Sequence, residues 1–309
     1  KISQERLSDE RIGDFKDRYR QYMKERKTYK SKLCAPDVSV LVVDDNVMNL
    51  KVVKMMLKPT RMKVSTCASG AECLELIKKY RYDIILMDHM MPEMDGMETF
   101  HRAMLMRDSL CGRSTYIVMT ANAVMGAREM YLAEGFKDYI SKPVQPEVLE
   151  DILMRYIPED KLVDPIVCDE ARESPTMGAG TVDDTAGVME KQNSDTSWKD
   201  VHIDHEKGLT YCGGSEDFLK EIISMYAADD KRAEIQKAYD EKDWDGYRIL
   251  IHTVKSTSRT IGAMELGDEA QELENAVKEL DVDMICKMHE SVMASYSAVL
   301  DWCRVTTAQ

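Results

Sequence analysis

YDIILMD, residues 82–88, is a short apolar run closed by an aspartate. A strand without polar alternation is buried on both faces, as in a parallel sheet covered by helices. Four further stretches read the same way: VSVLVV (38–43), MKVST (62–66), STYIVMT (114–120) and KDYIS (137–141). A helical pattern follows each, the last running from Pro146, a favoured first-turn residue, to Tyr156. Five alternating units predict an α/β doubly wound five-stranded parallel sheet with helices on both faces.

In such a sheet, ligands bind beyond the carboxyl ends of the strands. Asp44 and Asp45 end the first strand, Asp88 the third and Thr120 the fourth, while Lys142 follows the fifth. Any one of these is an ordinary loop residue; five in register form a site. Three crowded carboxylates repel one another unless a hard cation such as Mg²⁺ neutralises them. A lysine and a hydroxyl beside that cation suit phosphoryl oxygens. The chemistry this suggests is attack by a carboxylate on a phosphoryl donor, with charge stabilised by Mg²⁺, Lys142 and Thr120.

VLVVDDN (40–46), DIILMDHMMPEMDG (83–96), TAN (120–122) and the Lys142–Pro143 pair together make residues 38–157 resemble the receiver domain of two-component response regulators. The resemblance implies the strand order 2-1-3-4-5 and Asp88 as phosphoacceptor. It implies a metal site of Asp44, Asp45, Asp88 and the Met90 carbonyl. It gives Lys142 as the phosphoryl partner, Thr120 and Tyr139 as coupled switch residues, and a cis Lys142–Pro143 bond. A phosphatase of the haloacid dehalogenase type also uses an aspartate nucleophile, but it needs DxDx[TV] where this chain has VDDNVM (43–48). His89, beside Asp88, reads as a bystander.

Residues 1–36 predict a charged helical connector, with eleven Lys/Arg against six Asp/Glu. Residues 158–200 hold eleven acids, four bases and no Phe or Tyr, a composition that cannot build a core and predicts a flexible linker. From 201 to 309 the pattern is helical, with breaks expected near Cys212–Gly214, Asp243, Gly262 and Asp281, so four or five antiparallel helices should form a bundle. Within it, YRILIHTVKSTSRTIG (247–262) carries Leu250, Val254, Thr257 and Ile261 on one stripe. His252, Lys255, Ser256 and Arg259 lie opposite, with Arg248 nearby. His252 is therefore expected to be exposed and flanked by cations that would stabilise a phosphorylated imidazole.

HTVKSTSRTIGA (252–263) is similar to the H-x-x-K helix of histidine phosphotransfer domains, and GLTYCGGSEDFL (208–219) resembles their entry region. This implies a four-helix bundle in which His252 relays a phosphoryl group, without an ATP site. The two resemblances together imply the C-terminal part of a hybrid sensor histidine kinase. An upstream kinase core, expected on the same polypeptide because the sequence opens at Lys1, would load Asp88. Asp88 would pass the group to His252, and His252 to a separate response regulator receiver. The competing expectation is a receiver switch with a docking or dimerising bundle that carries no phosphate; a third is reverse flow, in which the bundle drains phosphate and the receiver hydrolyses it.

The balance of 42 basic and 56 acidic residues gives a net charge of −14, which argues against nucleic-acid or anionic-membrane binding. No apolar run is long enough to span a bilayer, so the expectation is a cytoplasmic location, either free or as the cytoplasmic part of a membrane-anchored sensor. Eight cysteines without CxxC suggest free thiols. His202 and His205 form HxxH without a third ligand nearby, and GAG (178–180) lacks the strand and lysine of a phosphate loop.

Overall fold

The computed structural model describes residues 31–121, 127–164 and 201–307. Most of the N-terminal connector, Asn122 of the TAN motif, and residues 165–200 with the GAG sequence lie outside the described residues. The first unit runs β1 (Ser39–Val43), α1 (Val47–Leu57), β2 (Lys63–Cys67), α2 (Gly70–Lys79), β3 (Ile84–Asp88), α3 (Gly96–Leu105), β4 (Thr115–Thr120), α4 (Ala127–Glu134), β5 (Asp138–Ser141) and α5 (Pro146–Tyr156). Its strands pair in parallel in the order β2-β1-β3-β4-β5.

The apolar runs are continuous because successive side chains enter two different cores. Val40, Val42, Ile84, Leu86, Ile117 and Met119 pack under α1 and α5, against Val53, Leu57, Leu149 and Leu153. Leu41, Val43, Ile85, Met87, Tyr116 and Val118 face α2, α3 and α4, against Ile77, Phe100 and Tyr131. Side-chain caps start the helices close to the strand ends: Asn46 accepts from the Met48 and Asn49 amides, Ser69 from Glu72, and Asp95 from Glu98. Each chain reversal is thereby fixed within a few residues of the carboxyl edge.

The second unit has six helices among the described residues: α6 (His205–Tyr211), α7 (Glu216–Ala228), α8 (Arg232–Glu241), α9 (Trp244–Thr260), α10 (Met264–Lys278) and α11 (Val282–Thr307). Four of them, α7, α9, α10 and α11, form the bundle, with α8 beside α9 and α6 against α7 and α9. Four of the five breaks fall where the sequence places them; the break at 229–231 between α7 and α8 does not, so the described residues form six helices rather than the four or five expected. Gly262 has φ +90°, and a Cβ there would meet the Asp204 carbonyl oxygen at 2.3 Å.

The two units are docked. Apolar packing is continuous from the α1 side of the sheet into the bundle, where α1 meets α7 and Phe218 shares a cavity with Met55, Met62 and Val64. Lys51 of α1 pairs with Glu221 of α7 at the rim. Both partners of that pair are largely exposed, so it contributes at most about 1 kcal/mol and apolar burial carries the contact.

Two local findings concern the first unit's edge. Residues 158–164 follow α5 closely, with Lys161 paired to Asp83 at 2.7 Å and the Val163 amide donating to the Cys34 carbonyl. Cys34 is disulfide-bonded, whereas Cys67, Cys73, Cys111, Cys212, Cys286 and Cys303 are free thiols. The expectation of free thiols throughout is corrected at Cys34, because sequence spacing does not reveal which distant residues meet. No helix among the described residues is long and apolar enough to cross a membrane.

Gly96 opens α3 directly under the end of β3. A Cβ there would lie 2.1 Å from the Asp88 carbonyl oxygen, a backbone atom that cannot swing aside. Gly96→Ala should destabilise the first unit by about 1–3 kcal/mol, read as a lower urea midpoint at unchanged slope.

Candidate active site

Asp44, Asp45 and Asp88 meet at the carboxyl edge of the sheet, each offering an oxygen within 4.8 Å of the others. Asp44 is fully buried, Asp88 is 2% exposed, and Asp45 is half-buried. The Lys142 ammonium lies 2.6 Å from Asp44 Oδ2 and 2.7 Å from Asp88 Oδ1. The second contact is an ion pair without hydrogen-bond geometry, which leaves Asp88 Oδ1 without a hydrogen-bond partner. The Lys142–Pro143 bond is cis, as expected. Met90 is half-buried in the loop after β3.

One ammonium does not balance three carboxylates. Burial, opposed by Lys142 and assisted by Asp44, holds the Asp88 carboxyl above the usual carboxylate range. Burial and Asp44 push Asp45 up to about 6. Burial lowers Lys142, but Asp44 and Asp88 outweigh it and keep the ammonium above its ordinary value. An oxygen-only donor set with surplus negative charge and an unpartnered carboxylate oxygen fits a hard divalent cation.

Thr120 is buried at the end of β4, where it receives a 3.3 Å hydrogen bond from the hydroxyl of Tyr131 on α4. Tyr139, expected to couple to Thr120, is half-buried on β5 opposite Val118. The aromatic hydroxyl brought to Thr120 is thus Tyr131, which a search confined to strand ends passes over.

His252 stands on α9 and is 6% exposed, Lys255 is fully buried and Ser256 is 3% exposed. The expectation of an exposed imidazole flanked by solvated cations is corrected. The polar face of α9 is covered by the first unit on one side and by α10 on the other. Cavities at the junction set Asp44, Lys142 and Pro143 against Tyr211, Ser256 and Thr260, and Asp45 and Pro92 against Thr253, Val254 and Thr257. Leu250, Val254 and Thr257, placed by periodicity on the inward stripe, line the larger cavity of about 550 Å³. Helical periodicity separates faces; it does not say which of them a second unit covers.

The residue that organises His252 is Glu274 of α10. Its Oε2 lies 3.4 Å from His252 Nδ1, an ion-pair distance without hydrogen-bond geometry, and it also pairs with Lys255. Its Oε1 lies 2.8 Å from Lys278. Burial raises the Glu274 carboxyl, but His252 and Lys255 outweigh it and leave it well below the usual range. Burial lowers Lys255, against the pull of Glu274. Burial pushes His252 down to about 4, with Glu274 opposing. The ring is therefore neutral at pH 7. A carboxylate facing Nδ1 favours the proton there and leaves the Nε2 lone pair free.

Residues 40–154 match the family model of the response regulator receiver domain, and residues 225–302 match that of the Hpt domain. The chain is a receiver domain joined to an Hpt domain. It is 26% identical over 255 residues to the signal transduction histidine-protein kinase BarA of Escherichia coli (strain K12), covering 80% of this chain and 25% of BarA. It is 25% identical over 248 residues to the sensor protein GacS of Pseudomonas syringae, covering 78% and 24%. The chain thus spans about a quarter of the length of these curated relatives. Among solved structures, chemotaxis protein CheY4 of Vibrio cholerae is 28% identical, covering 39% of this chain and 98% of that one, with a TM-score of 0.36. The receiver domain of a sensor histidine kinase from Pseudomonas aeruginosa PAO1, solved with magnesium in its active site cleft, is 34% identical, covering 38% and 96%, with a TM-score of 0.35.

Two measurements test this geometry. In the docked chain the His252 ring should titrate near pH 4 by nitrogen NMR; a midpoint near 6.5 would mean that the receiver leaves the ring exposed. The sign follows from linkage. The undocked ring takes a proton below about pH 6.5 and the docked ring does not, so docking weakens as pH falls from 6.5 toward 4 and is insensitive above 7. Separately, Glu274→Ala strands the buried Lys255 ammonium and should lower the stability of the Hpt domain by about 3–5 kcal/mol in urea unfolding.

Proposed function

We propose that Asp88 and His252 hand one phosphoryl group between them within a phosphorelay, Asp88 being loaded by an upstream histidine kinase core and His252 delivering to a separate receiver domain. The observation that carries this is His252, without a hydrogen bond on either nitrogen, on the helix whose Thr253 and Ser256 line cavities with Asp45, Asp44 and Lys142 of the receiver edge, and within reach of the Lys142 charge. A bundle that served only for docking would gain nothing from burying an unpartnered imidazole there.

In the first step an Asp88 oxygen attacks the phosphorus of a phosphohistidine, the P–N bond breaks, and the donor imidazole recovers its lone pair. In the second, His252 Nε2 attacks the acyl phosphate, a P–N bond forms as the P–O bond breaks, and Asp88 returns to a carboxylate. Lys142 stays beside Asp44 and Asp88 and offsets negative charge at the acceptor. The Thr120 hydroxyl lies at the same edge, within reach of a phosphoryl oxygen. Glu274, with Oε2 3.4 Å from Nδ1, balances the imidazolium-like charge that grows as Nε2 becomes bonded. Asp44, Asp45, Asp88 and the Met90 carbonyl would hold Mg²⁺, which supplies charge neutralisation for the phosphoryl oxygens.

The test uses the intact chain with labelled acetyl phosphate and Mg²⁺. Label should appear as a base-labile acyl phosphate and then as an acid-labile phosphohistidine. Asp88→Asn should abolish both, and His252→Gln should trap label at Asp88. Chelation of Mg²⁺ should slow loading by about 10²-fold or more, equivalent to a few kcal/mol. Label that never leaves Asp88 in the wild-type chain would leave the receiver as a switch and the bundle as a docking partner.

A further inference from the structure

Buried polar atoms without partners gather where the two domains meet, and they come from both. His252 contributes both ring nitrogens, His89 its Nδ1, and Arg248 its Nε. Ile249, the residue after Arg248, lines the junction cavity together with Asp45 and Pro92 of the receiver, and the charges of Lys278, Arg248 and Glu274 reach His89. Arg248 lies one helical turn before His252 on α9, so the two share a face.

Among the arginines of the described residues, only Arg248 has a buried donor without a hydrogen-bond partner. Arg102, Arg155, Arg232, Arg259 and Arg304 each have a carboxylate within 4.0 Å. Arg248 has no such ion pair among the described residues. Three acids of the junction are already engaged: Asp44 and Asp88 with Lys142, and Glu274 with Lys255, Lys278 and His252. A buried guanidinium N–H without an acceptor is costly, and no side chain in place relieves it.

We propose that Arg248 is a catalytic residue of the transfer step, its guanidinium binding two non-bridging oxygens of the phosphoryl group as it passes from Asp88 to His252. This rests on the relay reading above. The P–O bond to Asp88 breaks as the P–Nε2 bond forms, the Nδ1 proton stays beside Glu274, and negative charge spreads over the three equatorial oxygens midway. A planar fork with parallel N–H donors matches two of those oxygens, where an ammonium offers a single point of charge. Since Arg248 belongs to the Hpt domain and Asp88 to the receiver, it acts on the acyl phosphate only when the domains are docked.

The experiment loads the intact chain with labelled acetyl phosphate and Mg²⁺, removes excess donor, and follows label from acyl phosphate to phosphohistidine. Wild type, Arg248→Gln and Arg248→Lys are compared. Arg248→Gln should load Asp88 with the wild-type time course and slow the transfer by roughly 10²-fold, the scale for removing one transition-state donor. Arg248→Lys should recover part of the loss. Equal transfer in wild type and Arg248→Gln would overturn the proposal while leaving the relay intact. Slowing of loading and transfer together, with a lower urea midpoint, would also overturn it by assigning Arg248 a structural role. Absence of transfer in the wild-type chain would instead remove the relay reading on which the proposal rests.

Discussion

The ammonium of Lys142, between Asp44 and Asp88, is the interaction on which the receiver's edge depends. It draws two strand ends and the turn after a third into one buried charge cluster. The balance is incomplete, since one cation faces three carboxylates and two of those are held above their ordinary range. That deficit is what a divalent cation and a phosphoryl group can use. A fully neutralised edge would be more comfortable and chemically inert.

The Hpt side mirrors this arrangement with the signs exchanged. Glu274 is one buried carboxylate serving two ammonium groups and an imidazole. It keeps Lys255 charged in the interior and sets which nitrogen of His252 faces the junction. Each nucleophile is thus governed by a buried counter-charge from another element: Asp88 by the turn after β5, His252 by α10. Positioning through a second element leaves the reacting atom free of strong hydrogen bonds.

The sheet was legible because strands buried on both faces leave an unmistakable apolar run, and because Asp44, Asp45, Asp88, Thr120 and Lys142 each punctuate such a run. The helix breaks at Asp243, Gly262 and Asp281 were legible for the same reason: caps and positive φ are local requirements. The environment of His252 was not. Periodicity identified α9 and its polar face, but that face is polar for a covering domain rather than for water. Glu274 carried no local signal, being one acid among several on a polar helix, and its partners lie on α9. Tyr131 carried no signal at a strand end, because its hydroxyl reaches Thr120 from a helix above the sheet.

The closed junction has a kinetic cost and a kinetic benefit. In the proposed relay, with both nucleophiles secluded, bulk water would have little opportunity to intercept a phosphate in transit, so leakage would be suppressed. The same seclusion would bar any outside recipient until α1 and α7 separate. Output would then be paced by how often the two halves part company, and a tighter clasp would conserve the signal while delaying its delivery.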